Sequence, residues 1–162
     1  MTLDALLRRS THLTIGEVTR DVEVGRTRII QIRTVFAVSG TQRGQEFTYL
    51  EQPRRRDEFP GERIGTTELL FLVAMHDRMI PPALGQVLRR YAMDAPLLCQ
   101  QADPALARWR VETNTRPWRA FPPSEMRGLP PQRPGTLGLM VDPLVQTLQR
   151  TMTAVRGARG HR

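Results

Sequence analysis

The chain has 162 residues, 24 basic against 16 acidic side chains, a net charge of +8 and a hydrophobic fraction of 40% diluted by 13 prolines. That length suits one domain with a real core. Cys99 stands alone, which excludes an internal disulfide framework, and the N-terminal residues carry Asp4 and no long apolar run, which does not fit a secretory signal, so a cytoplasmic setting is expected.

All 24 basic residues are Arg. The guanidinium fork binds phosphate bidentately and stacks on bases, so this surface suits nucleic acid better than a Lys surface does. Charge of this sign also attracts acidic proteins and anionic membranes and names no partner by itself.

In chain order, Thr2 reads as the cap of a short helix that docks Leu3, Leu6 and Leu7 on the core. From Asp21 the pattern has period two. Val22, Val24, Ile30, Ile32, Phe36 and Val38 share one face, which predicts strands over 17–24 and 26–38. Phe47, Tyr49 and Leu50 predict a third strand, returning antiparallel after the loop SGTQRGQ (39–45). That loop lacks the Lys and the order of a nucleotide-binding loop and reads as an ordinary hairpin connection. A sheet carrying Arg26, Arg28 and Arg33 with Phe36, Phe47 and Tyr49, flanked by Arg43, offers a surface for a single strand, although such aromatics more often fill a core. In the charged loop 51–65, Asp57 and Glu58 offset Arg54, Arg55 and Arg56.

The stretch from Thr66 to Tyr91 reads as the centre of the molecule, a helical hairpin. Thr66 is placed as a cap, and the run Leu69 to Met75 is apolar on every face, as in a buried helix. Periodicity alone also permits a buried strand, but Leu, Ala and Met outnumber β-branched residues, which favours helix. Pro81-Pro82 makes the corner, and Leu84, Val87, Leu88, Tyr91 and Ala92 form one face of a second helix, with Arg89 and Arg90 turned away from it. Read as a DNA-binding helix-turn-helix, the second helix would present Ala83, Leu84 and Gly85, which are poor base readers.

Asp103-Pro104 predicts a further short helix with Leu106 and Trp109. Six prolines between 117 and 134 then impose an extended strap, in which Trp118 and Phe121 are anchors and Arg116 and Arg119 are phosphate contacts. Asp142-Pro143 starts a C-terminal helix ending at Gly157, whose stripe Val145, Leu148, Met152 and Val155 covers either its own domain or a second subunit, with a lean toward the subunit interface.

No catalytic motif is present. His12, His76 and His161 are far apart, His76 falls on the predicted helical face of Leu69 and Leu72 and reads as a core histidine, and Cys99 reads as a small buried hydrophobe. No metal, cofactor or membrane span is implied.

The expected fold is α+β: a small antiparallel β-sheet packed against a central helical hairpin, in a core domain of residues 1–112, followed by the proline- and arginine-rich strap (113–140) and the C-terminal helix with its basic tail (141–162). The expected function is non-enzymatic binding of DNA or RNA with little sequence preference, through Arg26, Arg28, Arg33, Arg43, Arg89, Arg90, Arg116 and Arg119. The alternative is an assembly protein that engages a partner or a second copy of itself through Trp118, Phe121 and the stripe Val145, Leu148, Met152 and Val155. A small enzyme with a dispersed site is a poorer third.

Overall fold

The computed structural model describes residues 1–51, 63–76, 82–90, 98–130 and 138–160. The three strands of the expected meander are present, but the first begins at His12 rather than at residue 17. Strands β1 (His12–Val24) and β2 (Thr27–Ser39) form a hairpin around the turn Gly25-Arg26, and β3 (Glu46–Glu51) adds antiparallel to β2. Gly25 takes φ 61°, a left-handed turn conformation that glycine adopts without cost.

The centre is not a helical hairpin. Leu69 to Ala74 belong to strand β4 (Thr67–Ala74), which pairs antiparallel with β1. The spatial order β4-β1-β2-β3 is a Greek key. Strand β5 (Leu98–Gln101) lies between β3 and β4, parallel to the first and antiparallel to the second, and closes five strands into a barrel. The far edge of β4 is shared: β5 takes Leu72–Ala74, and β6 (Arg108–Glu112) takes Thr67–Leu70. The stretch expected as a strap outside the sheet instead contributes two short strands, β7 (Arg119–Phe121) and β8 (Leu139–Met140), which extend the sheet beyond β6 because each fits between or after the prolines.

The run is a strand with the composition of a buried helix because β4 is dry on both faces. Leu70 and Leu72 point into the barrel with Val18, Ile30, Ile32, Phe47, Tyr49 and Cys99. Leu69 and Phe71 point outward, into a larger core completed by helix α1 (Leu3–Arg9), Trp109 of β6 and helix α3 (Val141–Gly160). A strand buried on both sides reads as a continuous apolar run and imitates a buried helix. On the outer side the Phe71 and Trp109 rings lie 5.1 Å apart at 47°, and the Trp109 indole N–H donates to the Leu106 carbonyl at 2.9 Å.

The helices differ from expectation in instructive ways. α1 forms as read, with the Thr2 hydroxyl accepting from the Ala5 N–H at 3.2 Å. α2 (Pro82–Arg90) starts at the predicted proline but buries none of its residues, and Tyr91 and Ala92 lie outside the described residues. The Asp103 carboxylate caps a single turn, accepting from Ala105 and Leu106, and the chain then enters β6 rather than continuing as helix. α3 runs past Gly157, and its Val145, Leu148 and Met152 are buried against the molecule's own core, with Val155 half-buried. The stripe expected at a subunit interface therefore serves this chain's own fold.

Leu72→Ala and Leu148→Ala each empty a fully buried leucine site, one inside the barrel and one outside, and each should cost about 2–5 kcal/mol in urea unfolding. Leu88→Ala, on the unburied helix α2, should cost less than about 1 kcal/mol. An equal loss at Leu88 would show that α2 is an integral part of the core.

Candidate nucleic-acid interface

The eight arginines assigned from sequence do not share one face. Arg26 is exposed at the β1–β2 turn, and Arg43 is exposed in the β2–β3 connection at the other end of the hairpin. Arg28 is held by Asp21, with Nε donating to Oδ1 at 3.1 Å, and Arg33 donates to Glu17 at 2.9 Å. Arg89 and Arg90 are exposed in the last turn of α2, Arg116 is exposed beside Trp118, and Arg119 is half-buried on β7. The expected aromatic platform divides as well. Phe47 and Tyr49 are fully buried inside the barrel and cannot stack on a ligand, whereas Phe36 remains 37% exposed.

A register shift separates Phe36 from the other two. Ile15 and Gly16 are consecutive on β1 but pair with Phe36 and Thr34, so Val35 is an extra residue on β2. Gly16 and Thr34 lie on the interior side, where no side chain fits at Gly16: an added Cβ would meet Ile32 Cγ2 at 2.2 Å. One extra residue turns the following side chain through the sheet, so Phe36 joins Ile15 on the outer face. There it lines a cleft of about 580 Å³ with Arg116, Pro117, Trp118 and Asp142. Trp118 is half-buried and fixed at its backbone, since its carbonyl accepts from the Val141 N–H at 3.0 Å where α3 begins. Across the β6–β7 pair Arg110 sits 4.5 Å over the Phe121 ring.

A second cleft, of about 640 Å³, lies between α2 and the outside of β2, β3 and β5, with Ile29, Leu50, Met75, Leu84, Val87 and Gln100 among its walls. It is mainly apolar.

One cluster was missed by sequence reasoning. Glu51 ends β3 and Arg63 precedes β4; both fall in the stretch expected as a charged loop, yet they are buried with Tyr49 and Glu68. Arg63 donates to both Glu51 oxygens at 3.0 and 2.8 Å, to Glu68 Oε1 at 3.0 Å and to the Tyr49 hydroxyl at 2.7 Å. The Tyr49 hydroxyl in turn donates to Glu51 at 3.0 Å, and Arg108 adds a second cation 3.6 Å from each carboxylate. Burial, then Glu68 and Glu51, push the Tyr49 phenol well above its ordinary range. Burial alone would lower the Arg63 guanidinium, but Tyr49 and the two carboxylates raise it above its ordinary value. The signal available in sequence was the spacing of Tyr49 and Glu51, two residues apart and so on one face of a strand. The remaining 52–62, including Arg54 to Arg56, lies outside the described residues.

His76 is exposed rather than in the core, because its neighbours form a strand that ends before it, and His161 lies outside the described residues. Cys99 is buried as expected, and burial pushes its thiol up to about 12. His12 is lowered by burial and by the nearby Arg156; its Nδ1 is 2.8 Å from the Thr11 hydroxyl. Among the described residues no group of three or more acidic, His or Cys side chains is placed to hold a metal ion, and no helix is long and apolar enough to cross a membrane. No protein-family model, curated protein or solved structure matches this chain.

Arg63→Ala would leave buried Glu51 and Glu68 with the Tyr49 hydroxyl and the more distant Arg108, and should cost about 3–5 kcal/mol in denaturant unfolding. A loss below 1 kcal/mol would mean that water enters the barrel end and compensates the carboxylates.

For His12 the folded-state pKa lies below the ordinary 6.5, so the unfolded chain binds the proton more readily. Its contribution to stability is complete above that ordinary value and is lost as pH falls through the depressed one. Stability against urea should fall from pH 7.5 to pH 5, and His12→Asn should flatten that slope; an unchanged slope would remove His12 as its source.

Proposed function

We propose that this chain is a non-enzymatic nucleic-acid-binding accessory protein. The observation that carries the reading is the outward cleft in which Phe36 and Trp118 lie with Arg116, on a chain of net charge +8. Aromatic faces and a guanidinium in one groove are the parts that single-strand binders use, the first for bases and the second for phosphate. Architecture adds support by analogy alone: five-stranded Greek-key barrels include the oligonucleotide- and oligosaccharide-binding class. Of the predicted arginines, Arg116 lies at this cleft and supplies its phosphate contact; Arg26, Arg43, Arg89 and Arg90 are exposed elsewhere and add to the positive field, while Arg28 and Arg33 are occupied by Asp21 and Glu17. DNA and RNA are both within this reading.

A second reading, a protein that assembles with a partner, is favoured by the apolar cleft under α2 rather than by the C-terminal helix. Leu84→Asp would disturb such a partner and leave nucleic-acid binding in place.

Fluorescence anisotropy with labelled oligonucleotides at rising salt tests the first reading. Each phosphate contact on a single strand should add about −0.7 to the log–log salt slope, and Arg116→Ala should reduce the slope by about one contact. No binding to single-stranded or duplex oligonucleotides at low salt would refute the function.

A further inference from the structure

Resting on the nucleic-acid reading, we infer that the cleft of Phe36, Trp118, Arg116 and Asp142 is a subsite for one unpaired base, with preference for bases that carry an exocyclic amino group. The argument begins with what a duplex cannot offer. Phe36 and Trp118 line an indentation of about 580 Å³, which suits one flat ring system and its sugar. A paired base keeps its faces inside the stack, so only an unstacked base can enter and meet aromatic walls. Stacking of this kind accepts any base, because every base has a π-face.

Asp142 then adds selectivity. Asp142, exposed in the first turn of α3, lines the same cleft, and a carboxylate there is acceptor-only. It repels phosphate, so the phosphate belongs outside, on exposed Arg116. Toward a base, a carboxylate accepts from an amino group such as cytosine N4, while uracil presents carbonyl oxygens on either side of its single N–H. Cytosine and adenine are therefore favoured over uracil and thymine. The backbone bond from Val141 to the Trp118 carbonyl holds the tryptophan at the start of the helix that carries Asp142, so the stacking group and the acceptor are positioned together.

Tryptophan fluorescence reads this site directly. The protein has two tryptophans, and Trp109 is fully buried, so quenching by an added solute reports on Trp118. Full-length protein is titrated with CMP, AMP, UMP and ribose 5-phosphate, and oligonucleotide affinity is measured separately by anisotropy. CMP and AMP should quench, UMP should bind several-fold more weakly, and ribose 5-phosphate should leave the emission unchanged. Phe36→Ala and Trp118→Ala should each weaken single-strand binding by about tenfold or more, the scale expected for one stacked base. Asp142→Asn should narrow the gap between CMP and UMP. Thermal melts confirm that each variant is folded.

Equal quenching by CMP and ribose 5-phosphate overturns the subsite, because phosphate alone would then explain it. So does unchanged oligonucleotide affinity in both folded aromatic variants, or equal affinity for single strand and duplex; in either case charge-driven binding survives and only the base subsite fails. Absence of all oligonucleotide binding removes the parent reading as well.

Discussion

Every layer of this molecule meets at β4, which is hydrogen-bonded along both edges and dry on both faces. One edge carries β1, and the other is divided between β5 and β6. Buried backbone N–H and C=O groups must be paired, and this division pairs them along the strand while the chain changes from barrel to outer sheet. Leu70 and Leu72 fill the barrel, and Leu69 and Phe71 anchor the core beneath α1 and α3. The two cores share a wall one strand thick, so substitutions on alternate residues of β4 act on different compartments.

The barrel is not apolar throughout. At the end near the β3–β4 connection it holds two carboxylates, the Arg63 and Arg108 guanidinium groups and a phenol. Burying charges is costly, and a hydrophobic plug of equal volume would be at least as stabilising. What the charged set adds is direction, because the guanidinium meets two carboxylates from different strands and fixes β3 against β4 with its fork. The apolar side chains around it have no such preference in orientation.

The surface chemistry depends on a local irregularity in the pleat. Without the extra residue at Val35, Phe36 would follow Ile30 and Ile32 into the barrel interior. The shift places it outside, within reach of the strap that carries Trp118. The same geometry separates Phe36 from Phe47 and Tyr49, which only a regular strand would have kept on one side. Charge is similarly redistributed by pairing, since Asp21 and Glu17 occupy two arginines that composition alone counts as available.

Local patterns were sufficient for α1, for β2 and β3, for the start of α2 at Pro82 and, within one residue, for the start of α3, because capping groups, proline geometry and alternation act over a few residues; residues 12–16 of β1 fell outside the expected strand. The buried state of Cys99 was legible from its residue type and the leucines before it, whereas the strap read from the prolines holds strands β7 and β8. The nature of Leu69–Ala74 was not, because an apolar run of that length records burial and not the shape of the burial. The stripe on α3 recorded a need for cover, and only the packed outer face of β1, β4 and β6 decided that the cover is intramolecular. Glu51, Arg63 and Glu68 are spread over 18 positions, and nothing local distinguishes them from solvated charges. Their association was decided by barrel closure, and the placing of Phe36 and Trp118 along one cleft by the extra residue at Val35 and the strap pinned to α3.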